Sequence, residues 1–232
     1  MNNKISHSIL KLRFDRPLDI KVKVKDLRGA VANLYPEKQL LHQHREDGKL
    51  DYCYPLVQYK IINGECLLAG FRQGAELLAN LDLAAKTLLL GRQSYTIITK
   101  ELEFHYISLG ITDTLQQYRF ITPWLALNQK NYQEWQTFSK VEKHERLRRT
   151  LIGNILSMAK GLEYVVTEEI KAEVDVRPVP ATLKGVPMIG FLGKFQVNFR
   201  IPDYLGLGKS VSRGFGTVVQ STEDRIQSTD YD

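Results

Sequence analysis

Two histidines one residue apart, His42-Gln43-His44, stand in a polar stretch from Leu40 to Lys49. Imidazole titrates near neutrality, so one ring can take a proton while another gives one. A pair at this spacing can divide base and acid duties across a single reacting bond. The same residues also read as half of a metal site, or as incidental members of a solvated loop. No cysteine or acidic cluster completes a metal set, and Cys53 and Cys66 form no CxxC pair.

The second chemical signal is Gly206-Leu207-Gly208-Lys209-Ser210-Val211-Ser212-Arg213-Gly214-Phe215-Gly216. Two Gly-X-Gly steps bracket five residues that carry two cations. Glycine admits positive φ and close backbone approach. Successive N–H groups in such turns form anion-binding concavities. Gly206, Gly208, Lys209, Ser210, Arg213, Gly214 and Gly216 are the candidate phosphate-backbone contacts. From Arg177 to Arg213 there are six basic residues and one acid, Asp203, so positive charge gathers around this run. The run is not a P-loop, because the GxxxxGK spacing is missing, and no GxGxxG occurs. A small phosphorylated ligand therefore ranks behind a polymer.

The elements that must position these residues follow from periodicity. Ile9, Leu10, Leu12 and Phe14 interleave with Lys11 and Arg13, a strand pattern. Lys21, Lys23 and Lys25 alternate with apolar residues and predict an extended lysine stripe. Asp26 reads as the N-cap of a helix ending before Pro36. Asn63-Gly64 between apolar runs predicts a hairpin. Ala75 to Leu90 reads as a helix and Tyr95 to Ser108 as strand. The order is βαββαβ, that of a ferredoxin-like domain. Leu115 to Leu127 reads extended, and Tyr132 to Lys160 reads as one long helix with a basic middle. Strand patterns return from Glu168, at Phe191 to Phe199 and at Thr217 to Val219. The expected fold is α+β, with tandem ferredoxin-like (RRM-like) domains at 1–112 and 113–220 and a polar tail at 221–232.

Net charge is +6, which favours a polyanionic partner. No apolar run approaches the length of a membrane span, and the first seven residues lack a signal-peptide core. The two cysteines read as buried thiols of a cytoplasmic protein.

The glycine run resembles, at every position from Gly206 to Gly216, the motif of the RAMP superfamily of CRISPR-associated proteins. Tyr52-Cys53-Tyr54-Pro55-Leu56-Val57-Gln58-Tyr59-Lys60 is similar to its repeat-processing endoribonuclease branch, and His42-Gln43-His44 to the members with a His-X-His pair. The resemblance implies two ferredoxin-like domains and an endonuclease that cuts CRISPR precursor RNA within repeats, with no metal and no cofactor. A 2′-hydroxyl would attack the adjacent phosphate, leaving a cyclic phosphate and a 5′-hydroxyl. His44, with His42 as partner, would be catalytic, and the glycine run would grip RNA. CRISPR repeat RNA is the implied partner; an effector complex and a homodimer are further candidates. The rival reading within the superfamily is a non-catalytic RNA-binding subunit.

Overall fold

Period-two alternation does produce the first strand, β1 (Lys4–Phe14), with Leu10 and Leu12 buried on one face and Ile9 on the other. The structure, a computed structural model, describes residues 4–42 and 53–221. The lysine stripe is not a strand: residues 20 and 21 turn and helix α1 (Val24–Leu34) begins early. Lys23 occupies the N-cap position. Asp26 sits one turn inside, where its carboxylate accepts from the Lys23 N–H at 2.9 Å. A carboxylate in the first turn satisfies the helix end and complements its dipole, so Asp26 does a cap's work from a different position. Helix α2 (Gln39–His42) follows.

Strands β2 (Val57–Ile62) and β3 (Glu65–Phe71) form the expected hairpin. Asn63 and Gly64 both take positive φ, +52° and +81°. That is the two-residue turn whose twist matches paired strands. Helix α3 (Gln73–Ala79) is short. The rest of the expected 75–90 helix is instead loop and turn over 80–86 and then strand β4 (Thr87–Leu90), paired with β5 (Gln93–Ser108) through a turn at Gly91. Leu88 and Leu90 are buried while Leu89 is 64% exposed, so the leucines obey a period of two.

The first sheet runs β2-β3-β1-β5-β4. In register, Leu10 and Tyr59 flank Leu68, and α1 covers this row with Leu27 and Val31. On the opposite face of β2, Lys60 is fully buried and donates to Gln58 Oε1 at 3.2 Å. Burial pushes its ammonium down to about 7. Cys66 is buried, and burial pushes its thiol up to about 12. Cys53, expected inside, is exposed.

The second sheet runs β7-β8-β6-β9, from β6 (Gly110–Trp124), β7 (Ala172–Leu183), β8 (Val186–Arg200) and β9 (Val218–Gln220). Between β6 and β7 the long helix is two, α4 (Gln129–Thr137) and α5 (Lys140–Gly161). Ser139 and Glu142 close a reciprocal capping box at the break, a Ser-x-x-Glu signal present in the sequence. Leu147, Leu151, Ile155 and Met158 form the buried stripe of α5. The basic middle of α5 is partly neutralised. Glu145 bonds Arg148 and Arg149 at 2.7 and 2.6 Å, and those two hydrogen bonds hold its carboxyl down to about 2.

Both units therefore contain a ferredoxin-like strand order, with β5 beside β1 in the first, where β4 is an added edge strand, and β9 beside β6 in the second. In the second unit no helix separates β8 from β9. A single 3-10 turn, Val211–Arg213, and the glycine run take that place. Among the described residues the chain clusters into two compact units, Lys4–Ile107 joined by Ser212–Gly214, and Ser108–Val211 joined by 215–221. Among the described residues no helix is long and apolar enough to cross a membrane.

Candidate catalytic and RNA-binding site

His42 ends α2, and its Nε2 lies 3.1 Å from the Tyr35 carbonyl oxygen. A carbonyl only accepts, so Nε2 carries the proton and Nδ1 is the acceptor of the neutral ring. A ring fixed in that tautomer presents one basic nitrogen in a set direction. The backbone behind it is pinned twice. Tyr59 donates its hydroxyl to the Leu41 carbonyl at 3.2 Å, and Arg28 Nη2 donates to the His42 carbonyl. His44 lies outside the described residues.

Arg28, on α1, also donates through Nη1 to Ser212 Oγ at 3.3 Å. Ser212–Gly214 belongs to the same compact unit as α1. Burial, and next the guanidinium of Arg213, press Arg28 below the ordinary arginine range, while Tyr59 acts weakly the other way. The neighbours acting on this guanidinium are thus a second cation and a phenol, not a carboxylate. An anion entering near Arg28 would relieve that repulsion, and the planar donor fork of a guanidinium matches phosphate oxygens. The sequence context does not single out Arg28. The only available signal is that it is the one base within the otherwise largely apolar run from Leu27 to Ala32.

The glycines of the run serve packing. Gly216 N–H donates to the Pro123 carbonyl at 2.9 Å, and Gly216 O accepts from Leu207 N–H at 2.8 Å. Gly206 bridges to Thr217. Gly206, Gly214 and Gly216 are buried. A Cβ on Gly214 would meet the Tyr59 carbonyl at 3.1 Å, and one on Gly208 the Trp124 indole nitrogen at 2.8 Å. That indole donates to Asn154 at 2.9 Å. Lys209 is the exposed member of the run, with Ser210 and Arg213 half-buried.

The other histidines have partners of their own or face solvent. His7 is buried and stacked on Phe71 at 5.1 Å, His105 is exposed on β5, and His144 lies 3.5 Å from Glu173.

Known proteins with this architecture match this chain over most of its length. The family model of the Cas6b N-terminal domain matches residues 5–108, and that of the Cas6b C-terminal domain matches 110–221. A crystal structure of Cas6b is 35% identical, with a TM-score of 0.85 over 94% of this chain and 100% of that one. A second, described as a CRISPR RNA processing endoribonuclease Cas6b, is 33% identical with a TM-score of 0.75 over the same shares. An uncharacterized protein of Methanocaldococcus jannaschii is 39% identical over 147 residues, which is 63% of this chain and all of that protein. Two domain models that together span the described chain, and a full-length structural match above 30% identity, place this chain in the Cas6b family.

Proposed function

We propose that this chain is an endoribonuclease that cleaves CRISPR precursor RNA within its repeats, without a metal ion, to give guide RNA. The observation that carries the reading is Arg28, which donates to both the His42 backbone carbonyl and Ser212 Oγ within one compact unit and carries a positive charge that Arg213 opposes rather than neutralises. His44 and His42 divide the proton transfers. One imidazole takes the proton of a 2′-hydroxyl, and the 2′-oxygen attacks the adjacent phosphorus. The bond to the 5′-oxygen breaks as the other, protonated imidazole gives that oxygen its proton. The products are a 2′,3′-cyclic phosphate and a 5′-hydroxyl. Arg28 and Arg213 stabilise the charge that gathers on the phosphoryl oxygens, where preorganised donors have their largest effect. Likeness to a Cas6b described as an RNA-processing endoribonuclease supports the substrate class.

Labelled repeat RNA incubated with the protein in EDTA tests this. One cut within the repeat, with cyclic-phosphate and 5′-hydroxyl ends, is the expected result. Activity that returns only with added magnesium, or 3′-hydroxyl and 5′-phosphate ends, sinks it. Tight binding without cutting favours the non-catalytic subunit.

Lys209 and Arg213 grip the strand electrostatically, by contacts that position RNA without reading bases. Lys209→Ala with Arg213→Ala is expected to flatten the salt dependence of RNA affinity by about 1.4 in log–log slope, two phosphate contacts at roughly 0.7 each for a single strand. An unchanged slope in a salt titration would mean that the run is purely structural.

A further inference from the structure

The lysine stripe that failed to become a strand has another consequence. Turning at residues 20 and 21 and entering α1 at Val24 wraps Lys21, Lys23 and Lys25 around one hollow instead of along one edge. That hollow is a cavity of about 590 Å³ within the first unit, closed on its other side by the β4–β5 turn, which contributes Arg92. Four cations line it against two carboxylates, Asp19 and Asp26.

Both carboxylates are already engaged by uncharged donors. Asp26 accepts the Lys23 N–H at 2.9 Å. Asp19 accepts the Lys21 N–H at 2.8 Å and the Gln93 amide at 3.4 Å. Among the described residues, none of the four cations makes an ion pair. Lys21, Lys23, Lys25 and Arg92 are exposed, and Lys23 Nζ donates to the Ile20 carbonyl at 3.4 Å, a neutral acceptor that leaves its charge uncompensated. A concave wall focuses the field of such a group and raises the local concentration of anions.

We infer that this cavity is a second RNA-backbone site, taking phosphodiesters of the strand beyond the cleaved bond. It is separate in sequence from both the histidine segment and the glycine run. The one aromatic of the lining, Tyr95, is buried with the Arg16 guanidinium over its ring, so no free stacking platform is offered and recognition here is of phosphate, independent of base. This site rests on the RNA reading above, because a long polyanion is what makes a second cationic hollow useful.

The test is a salt titration of repeat RNA and of an unrelated single strand of equal length, on wild type and on Lys21→Ala/Lys25→Ala/Arg92→Ala. Losing three phosphate contacts is expected to flatten the log–log slope by about 2, equally for both RNAs. Between 50 and 200 mM salt the variant then loses roughly 20-fold less affinity than wild type does. A Lys130→Ala/Lys160→Ala/Lys171→Ala control, remote in sequence and equal in lost charge, gives the slope change produced by loss of charge alone. Lys21→Glu/Lys25→Glu, checked for an unchanged melting temperature, should weaken binding further. Wild type that cleaves the repeat while the triple variant keeps its slope, or loses no more than the control, overturns this site and leaves the nuclease reading standing. A flattened slope in a protein that cuts nothing keeps the site and sinks the nuclease.

Discussion

His42→Ala together with His44→Ala is expected to slow cleavage of bound repeat RNA about 10²–10⁴-fold, the span that positioned proton transfer contributes. RNA affinity should hold, since the cations named above remain. His42 is held for this task from three directions. The Tyr35 carbonyl fixes its tautomer, the Tyr59 hydroxyl bonds the residue before it, and the Arg28 guanidinium bonds its own carbonyl. A residue needed only for folding would have its side chain packed away, yet His42 is half-exposed at a helix end. Arg28→Ala belongs to the same test. It frees the His42 carbonyl and Ser212 at once, and a lysine cannot restore both bonds, because one ammonium lacks the planar fork. Single-turnover rates at saturating RNA give the answer. The double histidine variant cleaving at the wild-type rate would remove both histidines from the chemistry.

How much of this could be read in the sequence depended on whether local pattern and tertiary demand agreed. They agreed at β1 and at Asn63-Gly64, where alternation and turn chemistry are dictated by the residues themselves. They disagreed from Lys86 to Leu90. A leucine-rich run favours helix by propensity, but the partner strand β5 and the Gly91 turn impose a period of two on it. The stripe at Lys21, Lys23 and Lys25 failed for a related reason. Its alternation is real, yet only Val22 finds a buried place, and helix α1 claims the residues after it. The candidate site was legible in its chemistry and hidden in its assembly. Histidine spacing and glycine spacing are sequence properties. That Arg28 reaches both the end of the histidine segment and Ser212 is a contact across 184 residues, which no periodicity encodes.

Gly216→Ala is expected to cost about 3–5 kcal/mol, the range reserved for changes that the surrounding structure cannot absorb. The added Cβ would lie 1.9 Å from the Leu207 carbonyl oxygen, 3.0 Å from its carbon and 3.2 Å from its nitrogen. All three are backbone atoms, so no rotamer relieves the clash. The φ of +63° adds its own penalty of about 1 kcal/mol for a residue with a side chain. Relief requires the two arms of the run to separate. That would break the Leu207 N–H to Gly216 bond, the Gly216 N–H to Pro123 bond and the Gly206–Thr217 bridge. For a chain of this size the melting temperature should fall by roughly 6–20 °C. Gly153→Ala gives the opposite sign from the same chemistry. It lies within α5, meets nothing within 4 Å, and should gain about 0.5–1 kcal/mol because alanine is the better helix former. The comparison separates two meanings of the motif. A glycine kept so that RNA can approach would, on substitution, lose RNA binding at an unchanged melting temperature. A glycine kept so that the chain can pass itself would lose the fold first. The Leu207 oxygen already occupies the space in question, so the second outcome is the one expected, and a melting curve superimposable on wild type would refute it.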